Sequence, residues 1–84
     1  MSSYKRKNLP QPEGFKERLR DKMFEHGFTC YDLSKKTGID DESIRKYVNG
    51  SMNPSITMLM KMCVILHCSA DYLIFGKREP SEGV

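Results

Sequence analysis

Tryptophan is absent from the sequence, and no apolar run approaches the roughly 18 residues that a membrane-spanning helix needs. The N-terminal Met1-Ser-Ser-Tyr-Lys-Arg-Lys7 carries charge with no apolar segment behind it, which is not the pattern of a secretory leader. Cysteines are few. Cys30, Cys63 and Cys68 form an odd set of three with no Cys-x-x-Cys, which argues against a disulfide framework and against a zinc site. A reducing cytoplasm suits such a set best. Length is short as well: 84 residues make one small domain, with no room for a catalytic domain beside a ligand domain. A chain of this size buries only about 60% of its unfolded surface, so caps or a partner chain must help a thin core.

What is present has a globular balance, with 38% apolar and 30% charged residues. The formal charge of +3 is unevenly spread. Residues 1–22 hold seven Lys/Arg against three acids, a net +4. Residues 23–48 hold four against five, a net −1, and residues 49–84 hold three against three. A basic end on a nearly neutral body fits an anionic partner, and it fits a solubilising tail equally well.

The apolar spacing predicts helices and no strands. Residues 1–12 contain Pro10 and Pro12 and no periodicity, and read as a flexible basic arm. Phe15, Leu19 and Met23 then recur every four residues, one stripe on a helix, and Phe24 is expected to widen it. Gly27 stops this helix. Thr29 reads as the N-cap of a second helix, with Asp32 three residues on as in a capping box. Leu33 is expected to face inward, and Gly38 ends the helix. Asp40 caps a third helix, from Asp41 to Val48, whose apolar face is Ile44, Tyr47 and Val48; Asn49-Gly50 terminates it. Ser55 caps a fourth, Ile56 to about Leu66, with Ile56, Leu59, Met62, Cys63 and Leu66 expected inward. Ser69 caps a fifth, Ala70 to Phe75, closed by Gly76. The expected architecture is an all-α, five-helix orthogonal bundle over residues 13–76, followed by a disordered tail over 77–84.

Within it, the stretch from Gly27 to Gly50 has helix-turn-helix spacing. Counting Cys30 as the first position, the small Ser34 comes fifth, where two helices must approach, and Gly38 comes ninth, at the sharp turn. Ile39, Ile44 and Tyr47 occupy the positions that pin the second helix of the pair to the core. Its other face then presents Asp41, Glu42, Ser43, Arg45, Lys46 and Asn49. A rigid polar helix standing on a compact body fits a DNA major groove.

From Phe15 to Gly76 the chain resembles the XRE family, the Cro and phage-repressor type of helix-turn-helix regulators of bacteria and phages. The helix-turn-helix carries the resemblance, together with Tyr47-Val-Asn-Gly50, Asn53-Pro-Ser-Ile56 and Cys68-Ser-Ala-Asp-Tyr-Leu-Ile-Phe-Gly76, all in the family's order. It implies a lambda-repressor-like DNA-binding domain, a cytoplasmic protein encoded by a bacterium or phage, and double-stranded operator DNA as partner. It also implies base contacts from Asp41, Glu42, Ser43, Arg45 and Lys46, and backbone contacts from Thr29, Cys30, Asn49 and Ser51. Lys35 and Lys36, late in the second helix, are further backbone candidates, and Lys5, Arg6 and Lys7 fit an arm that reaches along a groove. The chain departs from the family at Cys30, where Gln is common, at Ser34, where Ala is usual, and at Ser51 and Met52, where Lys or Arg is usual. Asp41 and Glu42 are the largest departure. Acids there accept from cytosine N4, or simply complement the dipole of a first helical turn.

The fourth helix is more apolar than one buried stripe requires. Some of Met58, Met60, Val64 and Ile65 must face outward unless something covers them. With Tyr72, Ile74 and Phe75 they form either a wide core contact or the seam of a homodimer, which the resemblance also implies. Other chemistry is thin. His26 suits a helix C-terminus. His67 lies beside Cys63 and Cys68, yet no fourth ligand is near, so no metal is expected. Arg18 and Lys22 need be no more than solvated. No catalytic constellation, cofactor motif or effector pocket is legible, so a non-enzymatic transcriptional regulator, acting as a repressor, is the leading expectation. The rival is a protein-interaction module such as an antitoxin or antirepressor component, using the apolar fourth and fifth helices.

Overall fold

The computed structural model describes residues 10–77. The arm cations Lys5, Arg6 and Lys7, and the tail beyond Lys77, lie outside the described residues. Five helices follow one another: α1 (Phe15–His26), α2 (Cys30–Thr37), α3 (Asp41–Asn49), α4 (Ile56–Leu66) and α5 (Ala70–Phe75). No strand occurs among the described residues.

Their boundaries follow from caps. Thr29 and Asp32 form a reciprocal capping box at α2: Asp32 N–H donates to Thr29 Oγ1 at 3.1 Å, and Thr29 N–H donates to Asp32 Oδ2 at 2.9 Å. Asp40 accepts the Ser43 N–H at the start of α3. Ser55 and Ser69 accept the N–H groups of Met58 and Tyr72 at the starts of α4 and α5. The turn between α2 and α3 depends on Gly38, whose φ of 81° lies where a side chain is strained. Ser34 secures that turn: its hydroxyl donates to the Ile39 carbonyl at 2.6 Å.

α1 packs on α3, α5 and α4, while α2 packs on α3 and α4, so α1 is the shared floor of the bundle. The core is Phe15, Leu19, Met23, Leu33, Ile39, Ile44, Tyr47, Met62, Leu66 and Leu73. Every helix contributes to it, so the bundle has one contiguous core.

Three expectations are corrected. Phe24 does not widen the α1 stripe; it is 87% exposed. One residue past Met23 is a rotation of about 100°, which carries it off the Phe15–Leu19–Met23 face. Ile56 is 75% exposed rather than inward. It lies at the first turn of α4, on the rim of an apolar groove of about 320 Å³ shared with Pro10, Pro12, Phe15, Leu59 and Ile74. Arg18 is not merely solvated. Its Nε donates to the Leu73 carbonyl and its Nη2 to those of Ile74 and Glu13, all at 2.9–3.0 Å. The guanidinium thus satisfies carbonyls at the C-terminal end of α5. A Cβ on Gly14 would collide with it, so glycine there leaves room for the bridge.

Candidate nucleic-acid interface

The chemistry of the α2–α3 pair starts from which side chains are spent inside. Ile44 and Tyr47 bury one face of α3, and burial pushes the Tyr47 phenol up, with the Asp40 carboxylate adding to the shift. The opposite face is left to water: Glu42, Arg45, Lys46 and Asn49 are all exposed. Four of the five base-contact candidates on α3 are ordered by local charge. Arg45 Nε lies 2.9 Å from Asp41 Oδ2, and Lys46 Nζ lies 3.6 Å from Glu42 Oε2, both one helical turn apart. The fifth, Ser43, is half-buried, and its hydroxyl donates to Asp40 Oδ1 at 2.9 Å. The acids therefore offset the α3 cations, and most of the positive charge around α3 comes from its neighbours.

α2 supplies part of it. Lys35 and Lys36 are exposed in its last turn, their ammonium groups 5.4 Å from the Tyr31 ring and 5.1 Å from the Phe28 ring. Thr29 is exposed with its hydroxyl committed to the cap. Cys30 is half-buried at the start of the helix. Burial pushes its thiol up, Asp41 adds to the effect and Arg45 partly offsets it, so the sulfur remains a neutral thiol at physiological pH. Asn49 and Ser51 are exposed together at the end of α3, where Asn49 Oδ1 accepts the Ser51 N–H at 2.9 Å.

Three residues of this region escaped the sequence reading. Gln11 Nε2 donates to the Tyr47 carbonyl at 2.8 Å and to the Met52 carbonyl at 2.9 Å, which ties the root of the N-terminal segment to the end of α3. Arg20 Nε donates to the Val48 carbonyl at 3.2 Å. Lys16 lies against Gly50. Lys16 and Arg20 are one turn apart on α1, as Arg18 and Lys22 are, and that spacing is a signal that could have found them. The pairs divide the work: Arg18 and Lys22 face α5, with Lys22 Nζ 5.1 Å from the Tyr72 ring, whereas Lys16 and Arg20 face the end of α3.

The apolar candidates separate as well. Met58, Ile65 and Tyr72 pack against the core, and Ile74 lines the apolar groove. Met60, Val64 and Phe75 are 61%, 70% and 67% exposed. His26 caps its neighbours' packing rather than a ligand: its Nε2 lies 2.9 Å from the Leu66 carbonyl, and its ring stacks on Phe28. Among the described residues, no cluster of His, Cys, Asp or Glu is placed to hold a metal ion, and no helix is long and apolar enough to cross a membrane.

Two helices joined by a tight glycine turn, the second anchored inside and polar outside, define a helix-turn-helix protein. The family described as the Cro/C1-type HTH DNA-binding domain matches residues 18–74, and the chain belongs to it. No curated protein matches the chain. A solved structure of a transcriptional regulator from Listeria innocua shares the fold, with a TM-score of 0.67 and 24% identity. The match covers 84% of this chain and 64% of that one, so this chain spans less than two thirds of that regulator's length.

Proposed function

We propose that the protein is a sequence-specific transcriptional regulator that lays α3 in the major groove and represses by occluding a promoter, as a homodimer on a two-fold symmetric operator. The observation that carries this reading is the division of α3: Ile44 and Tyr47 are locked in the core while Glu42, Arg45, Lys46 and Asn49 stand exposed on its far side. Arg45 and Lys46 make base contacts, with Glu42 and Ser43 beside them. Thr29, Cys30, Lys35, Lys36, Asn49 and Ser51 hold the phosphates, joined by Lys16 and Arg20 from α1. Lys5, Arg6 and Lys7 of the basic N-terminal segment add further phosphate contacts. Met60, Val64 and Phe75 lead the dimer seam, which sets two α3 helices about 34 Å apart on one face of the duplex.

Selection of genomic fragments with the purified protein at two salt concentrations tests this. The expected product is an inverted repeat whose half-site centres lie about one helical turn apart, bound less tightly at the higher salt. Absence of any enriched sequence overturns it. A second reading, a module that grips another protein, is favoured by the exposure of Ile56, Met60 and Val64 along α4. That reading expects a tight protein complex and no sequence preference on DNA.

A further inference from the structure

Resting on the proposed role of α3, we infer that Asp41 is a positioning residue: it aims Arg45 at a guanine and does not itself read a base. The two oxygens of Asp41 differ. Oδ2 lies 2.9 Å from Arg45 Nε. Oδ1 is shut off from solvent and has no hydrogen-bond partner among the described residues. Oδ1 is therefore turned away from any cytosine amino group, and Oδ2, the oxygen left to make that contact, is engaged by Arg45.

Arg45 has the complementary arrangement. Its side chain is 66% exposed, against 38% for Asp41. Nε is spent on the carboxylate, while the two terminal nitrogens lie beyond it on the far part of the planar group. Those nitrogens form the fork that matches guanine O6 and N7. An unheld arginine loses rotamer freedom when it docks on a base; one already held by its neighbour loses less. An ion pair this exposed adds little to fold stability, so its value is directional. The second α3 pair lacks this property. Lys46 and Glu42 stand 3.6 Å apart, Glu42 is 77% exposed, and an ammonium on a flexible stem has no fork to aim.

The test compares wild type, Arg45→Ala, Asp41→Asn and the double variant on random duplexes, scoring base preference by position and affinity for unrelated DNA. Arg45→Ala is expected to erase a guanine preference at one position of each half-site. Asp41→Asn is expected to weaken that same preference about tenfold, while affinity for unrelated DNA holds or rises, because a negative charge has gone. In the Arg45→Ala background, Asp41→Asn should change no preference. Asp41→Glu keeps an acid in the first turn but moves it by one methylene, and should weaken the preference without loosening the helix, as checked by circular dichroism. Three results overturn the inference: a uniform gain on all sequences with selectivity intact, an altered preference at a different position that survives in the double variant, or the lack of any guanine that depends on Arg45. If the wild type itself shows no preference for any duplex, the regulator reading falls instead, and the two failures are told apart.

Discussion

The helices on either side of the loop over residues 51–55 present opposite surfaces. α3 buries Ile44 and Tyr47 and turns charge outward. α4 buries Met62 and Leu66 and turns Ile56, Met60 and Val64 outward, at a spacing of four residues that places them on one stripe. The first surface is content in water and is suited to a polyanion whose phosphates and base edges take hydrogen bonds. The second is costly in water and calls for an apolar cover. A helix therefore does not reveal its task by its inward residues, which are similar in the two, but by what it leaves outside.

The largest expected effect tests the inward equivalence. Ile44→Ala and Leu66→Ala each remove a fully buried side chain and should cost about 2–5 kcal/mol in denaturant unfolding. Met60→Ala, on the outward stripe, should fall within about 0.5 kcal/mol for the monomer. A cost for Met60→Ala as large as that for Ile44→Ala would mean that the α4 stripe is already packed in the free protein. The comparison would then collapse.

On the outward side of α3, Lys46→Ala should lose about 1–3 kcal/mol of binding to the selected site and relax its specificity at one position, with unfolding unaltered. Fluorescence anisotropy against matched and scrambled duplexes measures both. Equal losses on the two duplexes would demote Lys46 to a phosphate contact.

On the outward side of α4, Val64→Ala should weaken self-association by about 1 kcal/mol, read by sedimentation equilibrium, and leave monomer stability alone. A wild-type protein that stays monomeric at all concentrations would hand the stripe to another protein and favour the interaction-module reading.

Much of this was legible in the chain because helix ends are written locally. Thr29 with Asp32, Asp40, Ser55, Ser69 and the stop glycines mark boundaries by chemistry within four residues, and α4 and α5 fall where the spacing predicts them. Periodicity gives the angle of a side chain about its own axis, but not what lies opposite. That is why Ile56 reads as inward and is exposed, whereas the angle itself already sets Phe24 off the α1 stripe. Gln11 and Arg18 were illegible for another reason. Apart from the Glu13 carbonyl that Arg18 also meets, their acceptors are backbone carbonyls 36 to 56 residues away, which no local pattern names. In the candidate site, the position of α3 and the exposure of Glu42, Arg45, Lys46 and Asn49 were readable, while Asp41 and Ser43, expected on the same face, are half-buried. The pairing of Asp41 with Arg45 depended on rotamers that the alternation of acids and cations only permits.

The smallest expected effect separates the two halves by acid. The α2 and α3 caps use carboxylates, while the α4 and α5 caps use serine hydroxyls that do not titrate. Asp32 is held below the usual carboxylate range, first by the Thr29 N–H and then by the Thr29 hydroxyl. Asp40 is held below it by the Ser43 hydroxyl and N–H. A carboxylate whose folded pKa is depressed contributes stability that is fully present above its unfolded value and is lost as pH falls through the folded one. Acidification from neutral pH through about 4 and below should therefore loosen the starts of α2 and α3 and spare those of α4 and α5. Amide hydrogen exchange reads this directly, once corrected for intrinsic rates. The Thr29 and Ser43 amides donate to the carboxylates and should lose protection in acid. Those of Met58 and Tyr72 donate to serines and should keep it. If all four amides open together, the caps do not set local stability, and the acid response belongs to the bundle as a whole.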